Sequence, residues 1–167
     1  ADPNCLSLVE LGGKPLLHWT IDAVLESGSL EELIVSSSDA GLLEALRGHY
    51  GERIAYVERP PELARENVSD RETVIAALAA RSNNAAPDAV MILNFNSPFR
   101  SAFYIDKAID VMRIFSVPVV LAVAAHDGHF YRHDGTGLHP VGTNGLFGKL
   151  RLEGDYLYRM AGGLILA

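Results

Sequence analysis

The chain has 167 residues, of which 49% are hydrophobic and 21% are charged, and its formal net charge is -7. This composition is typical of one folded domain and excludes a largely disordered chain. The acidic balance disfavours a nucleic-acid partner, and the single cysteine, Cys5, excludes an intramolecular disulfide. Because no apolar stretch could cross a bilayer and no signal peptide opens the chain, we expect a soluble cytoplasmic protein with no membrane partner.

Helical and strand patterns alternate along most of the chain. Apolar spacing predicts a helix over residues 15–27, and a Ser69 cap followed by an alanine-rich body predicts one over 69–81. Further helices are expected over residues 42–49 and about 102–115. Short apolar runs predict strands at residues 33–35, 54–57, 89–93, 117–124 and 162–167. This alternation predicts an α/β fold of three layers around a mostly parallel sheet, formed by a single domain over residues 1–167.

Residues 125–149 break this alternation. They hold four of the six histidines, several glycines and no periodicity, which predicts a long loop or a lid. His126, His129 and His133 are three and four residues apart, a spacing that a helical zinc site could use. Since glycines interrupt the segment and no carboxylate or cysteine is helically placed, we expect no metal site there.

The end of the predicted strand 89–93 is a candidate ligand site. Four side chains that form hydrogen bonds follow it, namely Asn94, Asn96, Ser97 and Arg100. Ligands of open α/β sheets bind at the carboxyl ends of the strands. The residues equally allow a polar turn in which Ser97 caps the next helix.

Arginines at other strand ends could extend this site. Arg59 follows strand 54–57, and Arg151 and Arg159 flank the last predicted strand. A guanidinium matches the geometry of phosphate and carboxylate groups. Each arginine alone could instead cap a helix or pair with a surface carboxylate. Because all of them lie at predicted strand ends, an anion-binding rim is favoured for the group.

Two motifs of other enzyme classes are incomplete. A Ser-His-Asp triad has no G-x-S-x-G elbow to support it. The segment Gly12-Gly13-Lys14 lacks the preceding spacing and the following Ser or Thr of a Walker loop. Neither a hydrolase nor a Walker-type site is predicted.

Five segments, taken in order, resemble the acylneuraminate cytidylyltransferase (CMP-sialic acid synthetase) family. They are LGGKPLL at 11–17 with the helix after it, LIVS at 33–36, RPPELA at 59–64, NSPFRS at 96–101 and YR at 158–159 before Gly162. The resemblance implies a Rossmann-like nucleotidyltransferase fold and an enzyme that joins CMP from CTP to a sialic-acid-like sugar acid. It further implies the release of pyrophosphate, Mg²⁺ as cofactor and a homodimer, to which the apolar pair Leu146-Phe147 could contribute.

The resemblance also implies roles for individual residues. It assigns Arg59, Ser69 and Gly13 to nucleotide binding. The residues that it assigns to the sugar acid are Asn94, Asn96, Ser97, Arg100, Arg151 and Tyr158. Asn94 stands where the family usually has glutamine, and Ser69 with Glu72 also has the pattern of a helix capping box. The resemblance assigns no catalytic residue in this chain, and the family's metal ligands have no counterpart in it.

The chain differs from the family pattern at both ends. The family's first strand and its phosphate-binding loop have no counterpart, and Leu6-Ser7 stands where a Lys-Asn pair is usual. The family's metal-binding aspartates lie beyond the last residue of this chain. We expect that segments of a larger protein are missing, because a sheet without its central strand leaves backbone groups unpaired. A nucleotidyltransferase for another sugar and a non-catalytic binding or assembly module remain alternatives.

Overall fold

The structure is a computed structural model that describes residues 6–64, 69–81, 85–126, 130–141 and 157–167. In these residues the α-helices are α1 (Leu16–Glu26), α2 (Ala40–Tyr50), α3 (Asp70–Ala79) and α4 (Ala102–Phe115). The strands are β1 (Glu10–Leu11), β2 (Lys14–Pro15), β3 (Ile34–Ser37), β4 (Ala55–Glu58), β5 (Met91–Leu93), β6 (Val120–His126), β7 (Tyr131–His133), β8 (Leu138–Pro140) and β9 (Leu157–Leu166). The fold is therefore α/β.

The helices agree with the sequence prediction. The bounds of α4 are the expected ones, and α1, α2 and α3 differ by at most two residues at either end. Asp39 caps α2, because its Oδ1 accepts a hydrogen bond from the N–H of Leu42 at 3.1 Å. Ser69 caps α3 in the same way, accepting from the N–H of Glu72 at 3.4 Å, which confirms the predicted cap.

The strand pairing differs from the prediction. β3 and β4 are parallel, whereas β9 lies between β5 and β6 and is antiparallel to both. β1–β2 and β7–β8 are antiparallel pairs. The expected mostly parallel sheet is therefore not confirmed for the described strands, among which only β3 and β4 pair directly in parallel. Alternation of helices and strands could not reveal that the last strand inserts, antiparallel, between two earlier ones.

The segment expected to be a loop or lid contains the β7–β8 hairpin. In its turn, Asp134 Oδ1 accepts hydrogen bonds from the N–H groups of Thr136 and Gly137, and Gly135 has a positive φ of 99°. The expected loop is wrong for this described part of the segment, and the lid stays a prediction. Leu146 and Phe147 lie outside the described residues.

Two hydrophobic clusters form the core, and α1 contributes to both. The α2 cluster contains Ile21, Leu42, Leu46, Tyr50 and Ile54. The α4 cluster contains Ala23, Val24, Ile105, Ala108, Ile109, Leu164 and Leu166. Leu33, just before β3, packs against both clusters and so joins them. None of the helices in the described residues has the length and apolarity that crossing a bilayer requires.

Candidate functional site

Residues 94–100, here named the β5-end loop, carry the polar side chains that follow β5. Asn94 and Asn96 are exposed, Ser97 is half-buried and Arg100 is buried. The loop turns back on itself, because the N–H of Ser97 donates to the carbonyl oxygen of Asn94 at 3.4 Å. Ser97 does not cap the following helix, as α4 begins at Ala102 and its N-cap residue is Ser101. The turn thus leaves two amide side chains open to solvent at a strand end.

Arg100 joins this loop to β9. Its Nη2 donates hydrogen bonds to the carbonyl oxygens of Asn94 and Gly163, both at 3.2 Å. Burial lowers the pKa of the Arg100 guanidinium. The sequence suggested an outward-facing anion ligand, whereas the structure places this guanidinium against main-chain carbonyls.

A cleft of about 600 Å³ opens beside the β5-end loop. The loop contributes Asn96, Ser97 and Arg100 to it, α4 contributes Lys107, and β6 contributes Leu121. The rest of its lining is predominantly apolar. A concave, mainly apolar cleft with a few polar groups is typical of small-molecule sites.

The ends of β3 and β4 form a second polar region. The N–H of Arg59 donates to the carbonyl oxygen of Ser37 at 2.8 Å, which holds Arg59 at the carboxyl end of the parallel pair. The Nε of Arg59 is buried and has no hydrogen-bond partner among the described residues. A buried unsatisfied donor costs about 1–3 kcal/mol, and an anion at this position would satisfy it.

The Gly12-Gly13 pair is the turn between β1 and β2. Both glycines have positive φ, 63° and 80°, as a two-residue hairpin turn requires. The neighbouring Lys14 forms an ion pair with Asp22, and its Nζ lies 4.6 Å from the centroid of the Trp19 ring. Gly13 therefore has a structural reason for being glycine, and Lys14 is engaged within the fold.

Asp22 links this turn to the α2 cluster. The hydroxyl of Tyr50 donates to Asp22 Oδ1 at 2.9 Å. Although burial raises the pKa of Asp22, hydrogen bonds from Lys14 and Tyr50 lower it overall. Burial and the hydrogen bond to Asp22 raise the pKa of Tyr50. The Gly12-Gly13 turn is thus fixed on α1 and α2 by polar contacts.

The remaining predicted site residues lie on other elements. Ser69 is exposed and its hydroxyl oxygen is engaged as the cap of α3. Tyr158 is exposed within β9, opposite Ala125 of β6. Arg159 also lies inside β9, so the expectation that it flanks the last strand is wrong, because that strand begins earlier than predicted. Arg151 lies outside the described residues.

Sequence reasoning missed two residues of this region, Gly163 and Lys107. Lys107 lines the cleft, and Gly163 accepts hydrogen bonds from both Asn94 and Arg100. A glycine pair inside an otherwise apolar strand often marks a bulge or a close approach of backbone, and Gly162-Gly163 carried that signal. The position of Lys107 in the cleft follows only from how α4 packs on the sheet.

The described residues do not by themselves form a metal centre. They contain no group of three His, Cys, Asp or Glu side chains that could hold an ion. Mg²⁺ in nucleotide enzymes is usually bound by one or two carboxylates together with substrate phosphates. The ion that the resemblance implies would therefore take substrate phosphates among its ligands.

The sequence profile of a family described as cytidylyltransferase matches residues 7–113. The chain therefore belongs to the cytidylyltransferase family. It is 33% identical over 106 residues to the N-acylneuraminate cytidylyltransferase of Escherichia coli O18:K1:H7, a match that covers 64% of this chain and 23% of that protein. It is 32% identical over 111 residues to the CMP-N,N'-diacetyllegionaminic acid synthase of Legionella pneumophila, a match that covers 66% of this chain and 47% of that protein. These matches confirm the resemblance, and the chain spans less than half the length of both relatives.

Solved structures share the fold. The 4-diphosphocytidyl-2C-methyl-D-erythritol synthase of Anaerococcus prevotii aligns with a TM-score of 0.68 at 17% identity, over 96% of this chain and 64% of that one. A CMP:2-keto-3-deoxy-manno-octonic acid synthetase complexed with CTP aligns with a TM-score of 0.65 at 13% identity, over 96% of this chain and 66% of that one. At such identities the likeness shows the fold alone.

Proposed function

We propose that the protein is a cytidylyltransferase that transfers CMP from CTP to a sialic-acid-like sugar acid and releases pyrophosphate. The observation that carries this proposal is the β5-end loop, which presents Asn94 and Asn96 to solvent at the carboxyl end of β5, within the segment that matches the family. The names of the two curated relatives, one for N-acylneuraminate and one for a legionaminic acid, support this class of acceptor.

CTP would bind at the ends of β3 and β4, with Arg59 as the main contact. The buried, unsatisfied Nε of Arg59 supports this assignment, since a guanidinium donates well to phosphate oxygens. Gly13 and Ser69 are proposed to contribute main-chain or hydroxyl contacts. The positive φ of Gly13 favours glycine at this turn. Because glycine has no side chain, the main chain of the turn is open to a ligand.

The sugar acid would bind at the β5-end loop. Asn94, Asn96 and Ser97 offer amide and hydroxyl groups for its hydroxyls, and Arg151 and Tyr158 are proposed as further contacts. Arg100, whose guanidinium donates to main-chain carbonyls of this region, would act by supporting the loop. The oxygen of the acceptor hydroxyl forms a bond to the α-phosphorus of CTP and its proton passes to solvent. The bond between the α-phosphorus and the oxygen that bridges to the β-phosphorus breaks, and pyrophosphate leaves. Positioning of the two substrates supplies much of the acceleration in such transfers. Mg²⁺, when bound, would neutralise phosphate charge.

We also propose a homodimer that acts in the cytoplasm, where CTP is available. Exposed apolar side chains on α4 and β6, among them Phe103, Ile114 and Val123, support a further contact surface. Light scattering should give twice the protomer mass at micromolar concentration. A monomer mass would contradict the dimer and leave the reaction unaffected.

A transfer assay tests the proposed reaction. The protein is incubated with CTP, Mg²⁺ and one of a panel of eight- and nine-carbon sugar acids, and products are identified by mass spectrometry. We expect a CMP-sugar and equimolar pyrophosphate with at least one nine-carbon acid, and no product when ATP replaces CTP. Transfer to an eight-carbon acid alone would indicate the alternative nucleotidyltransferase. Tight CTP binding by calorimetry without transfer to any acceptor would support a non-catalytic binding module.

A further inference from the structure

β9 departs from regular pairing where it passes the β5-end loop. Met160 pairs with Val123 of β6 and Ile165 pairs with Leu121, so that four residues of β9 lie opposite one residue of β6. Within this bulge Gly163 has a φ of +50°. Bulges bend a strand and re-aim the groups beside it, and they recur next to ligand sites.

Gly163 lies directly against Asn94. Its carbonyl oxygen accepts a hydrogen bond from the N–H of Asn94 at 2.9 Å. A Cβ atom added to Gly163 would lie 2.7 Å from Cβ, 3.3 Å from Nδ2 and 3.4 Å from Cγ of Asn94. Carbon atoms in contact normally stay about 3.5–4.0 Å apart. The side chain of Asn94 therefore occupies the space that any residue larger than glycine would need.

Arg100 fastens both residues from the buried side. Its Nη2 donates to the carbonyl oxygens of Asn94 and Gly163, and the residue is only 8% exposed. Hydrogen bonds from a charged donor are stronger than those between neutral groups. One guanidinium thus connects the end of β5 to the bulge of β9 while the side chain of Asn94 stays exposed.

We propose that Gly163 and Arg100 are positioning residues for Asn94, and that the missing side chain at position 163 determines specificity for the acceptor. This inference rests on the proposed function, in which Asn94 faces the sugar acid. An amide has a narrow range of productive donor–acceptor distances. A side chain at position 163 would displace Asn94 and alter acceptor recognition, although it need not touch the acceptor or CTP.

The kinetic test compares Gly163→Ala with Gly51→Ala. Gly51 also has a positive φ, 58°, but an added Cβ would meet no atom within 4 Å, so this control carries backbone strain without the contact. Gly163→Ala should raise the KM for the acceptor about tenfold or more, since a 1 Å misplacement can cost about a hundredfold, with the KM for CTP unchanged. Gly51→Ala should lower Tm and change neither KM. Equal acceptor KM values for wild type and Gly163→Ala would overturn the specificity role.

A second test measures the contact itself by thermal unfolding and needs no turnover. Asn94→Ala keeps the Cβ that Gly163→Ala would strike, whereas Asn94→Gly removes it. We expect Gly163→Ala to lower Tm clearly in the Asn94→Ala background and less in the Asn94→Gly background. Equal losses in both backgrounds would overturn the positioning role. If wild type transfers no cytidylyl group, the proposed function fails, and this comparison still decides whether Gly163 positions Asn94.

Discussion

The α2 cluster and the β5–β9–β6 sheet differ in how completely their apolar side chains are covered. In the α2 cluster, Leu46 and Tyr50 are buried by segments that are near neighbours in the chain. In the sheet, Val123 and Met160 face each other across the β6–β9 pair and remain 48% and 56% exposed. The first region is a packed scaffold built from local segments. The second is assembled from distant segments, and it carries the β5-end loop, the cleft and the bulge.

The largest expected effect tests whether both regions have a rigid core. Leu46 and Ile105 are each 0% exposed, one in the α2 cluster and one in the α4 cluster that lies against the sheet. Leu46→Ala and Ile105→Ala should each lower the free energy of unfolding by about 2–5 kcal/mol in urea titrations, because each leaves a cavity. Ile114→Ala, at a residue 74% exposed, is the control and should change it by about 0.5 kcal/mol or less. A cost for Ile105→Ala no larger than the control would mean that the sheet region lacks a packed core.

A smaller effect on the free energy of unfolding should distinguish the two arginines Arg100 and Arg59. Arg100→Ala removes a donor shared by two carbonyl oxygens and should lower the free energy of unfolding by about 1–3 kcal/mol. Arg59→Ala removes a buried donor that has no partner in the described residues, so it should cost less stability and should weaken CTP binding instead. Denaturant unfolding and calorimetry on the same preparations measure both quantities. If Arg59→Ala lowers the free energy of unfolding more than Arg100→Ala and leaves CTP affinity intact, the roles assigned to the two arginines are wrong.

The smallest effect depends on pH and concerns the link between α1 and α4. Ser27 Oγ donates to Asp106 Oδ1 at 2.5 Å, and this bond, with others from Ser29, lowers the pKa of Asp106. A carboxyl whose pKa is lowered by folding adds stability above its unfolded pKa of about 3.9, and this contribution is lost as the pH falls through the folded pKa. Ser27→Ala should therefore be less stable than wild type at pH 7, with a difference that shrinks below about pH 4.

Ser101→Ala is the matched control for this experiment. Ser101 is the N-cap of α4, but its side chain makes no capping hydrogen bond. Its substitution should give a small change in the free energy of unfolding that is the same at pH 7 as below about pH 4. A Ser27→Ala difference that stays constant from pH 7 to pH 3 would show that Asp106 does not depend on this bond.

The sequence was sufficient for the parts of the fold that depend on neighbouring residues. The period of apolar residues located α1 to within one residue at each end, and Ser69 followed by Glu72 identified the cap of α3. The polar residues after β5 were also placed correctly at the end of a strand. Each of these features depends on residues a few positions apart, for which side-chain spacing is a direct physical signal.

Features that depend on distant pairing could not be read in this way. β9 pairs with β5 and β6, which lie far from it in the sequence, and no local pattern indicates which strands will pair. The bulge at Gly163 and the burial of Arg100 are consequences of that pairing, so the sequence could suggest Arg100 as a ligand but not as a link between two strands. The position of Lys107 in the cleft depends on how α4 packs on the sheet, which is likewise not visible in a local pattern.

The most direct test of the account is a crossed kinetic comparison of Arg59→Ala and Asn94→Ala with wild type. The KM values for CTP and for the sugar acid are measured for all three proteins under the same conditions. We predict that Arg59→Ala raises the KM for CTP alone, because Arg59 lies at the ends of β3 and β4, and that Asn94→Ala raises the KM for the acceptor alone. If both variants raise the same KM, or neither changes either one, the assignment of nucleotide and acceptor to these two regions is wrong.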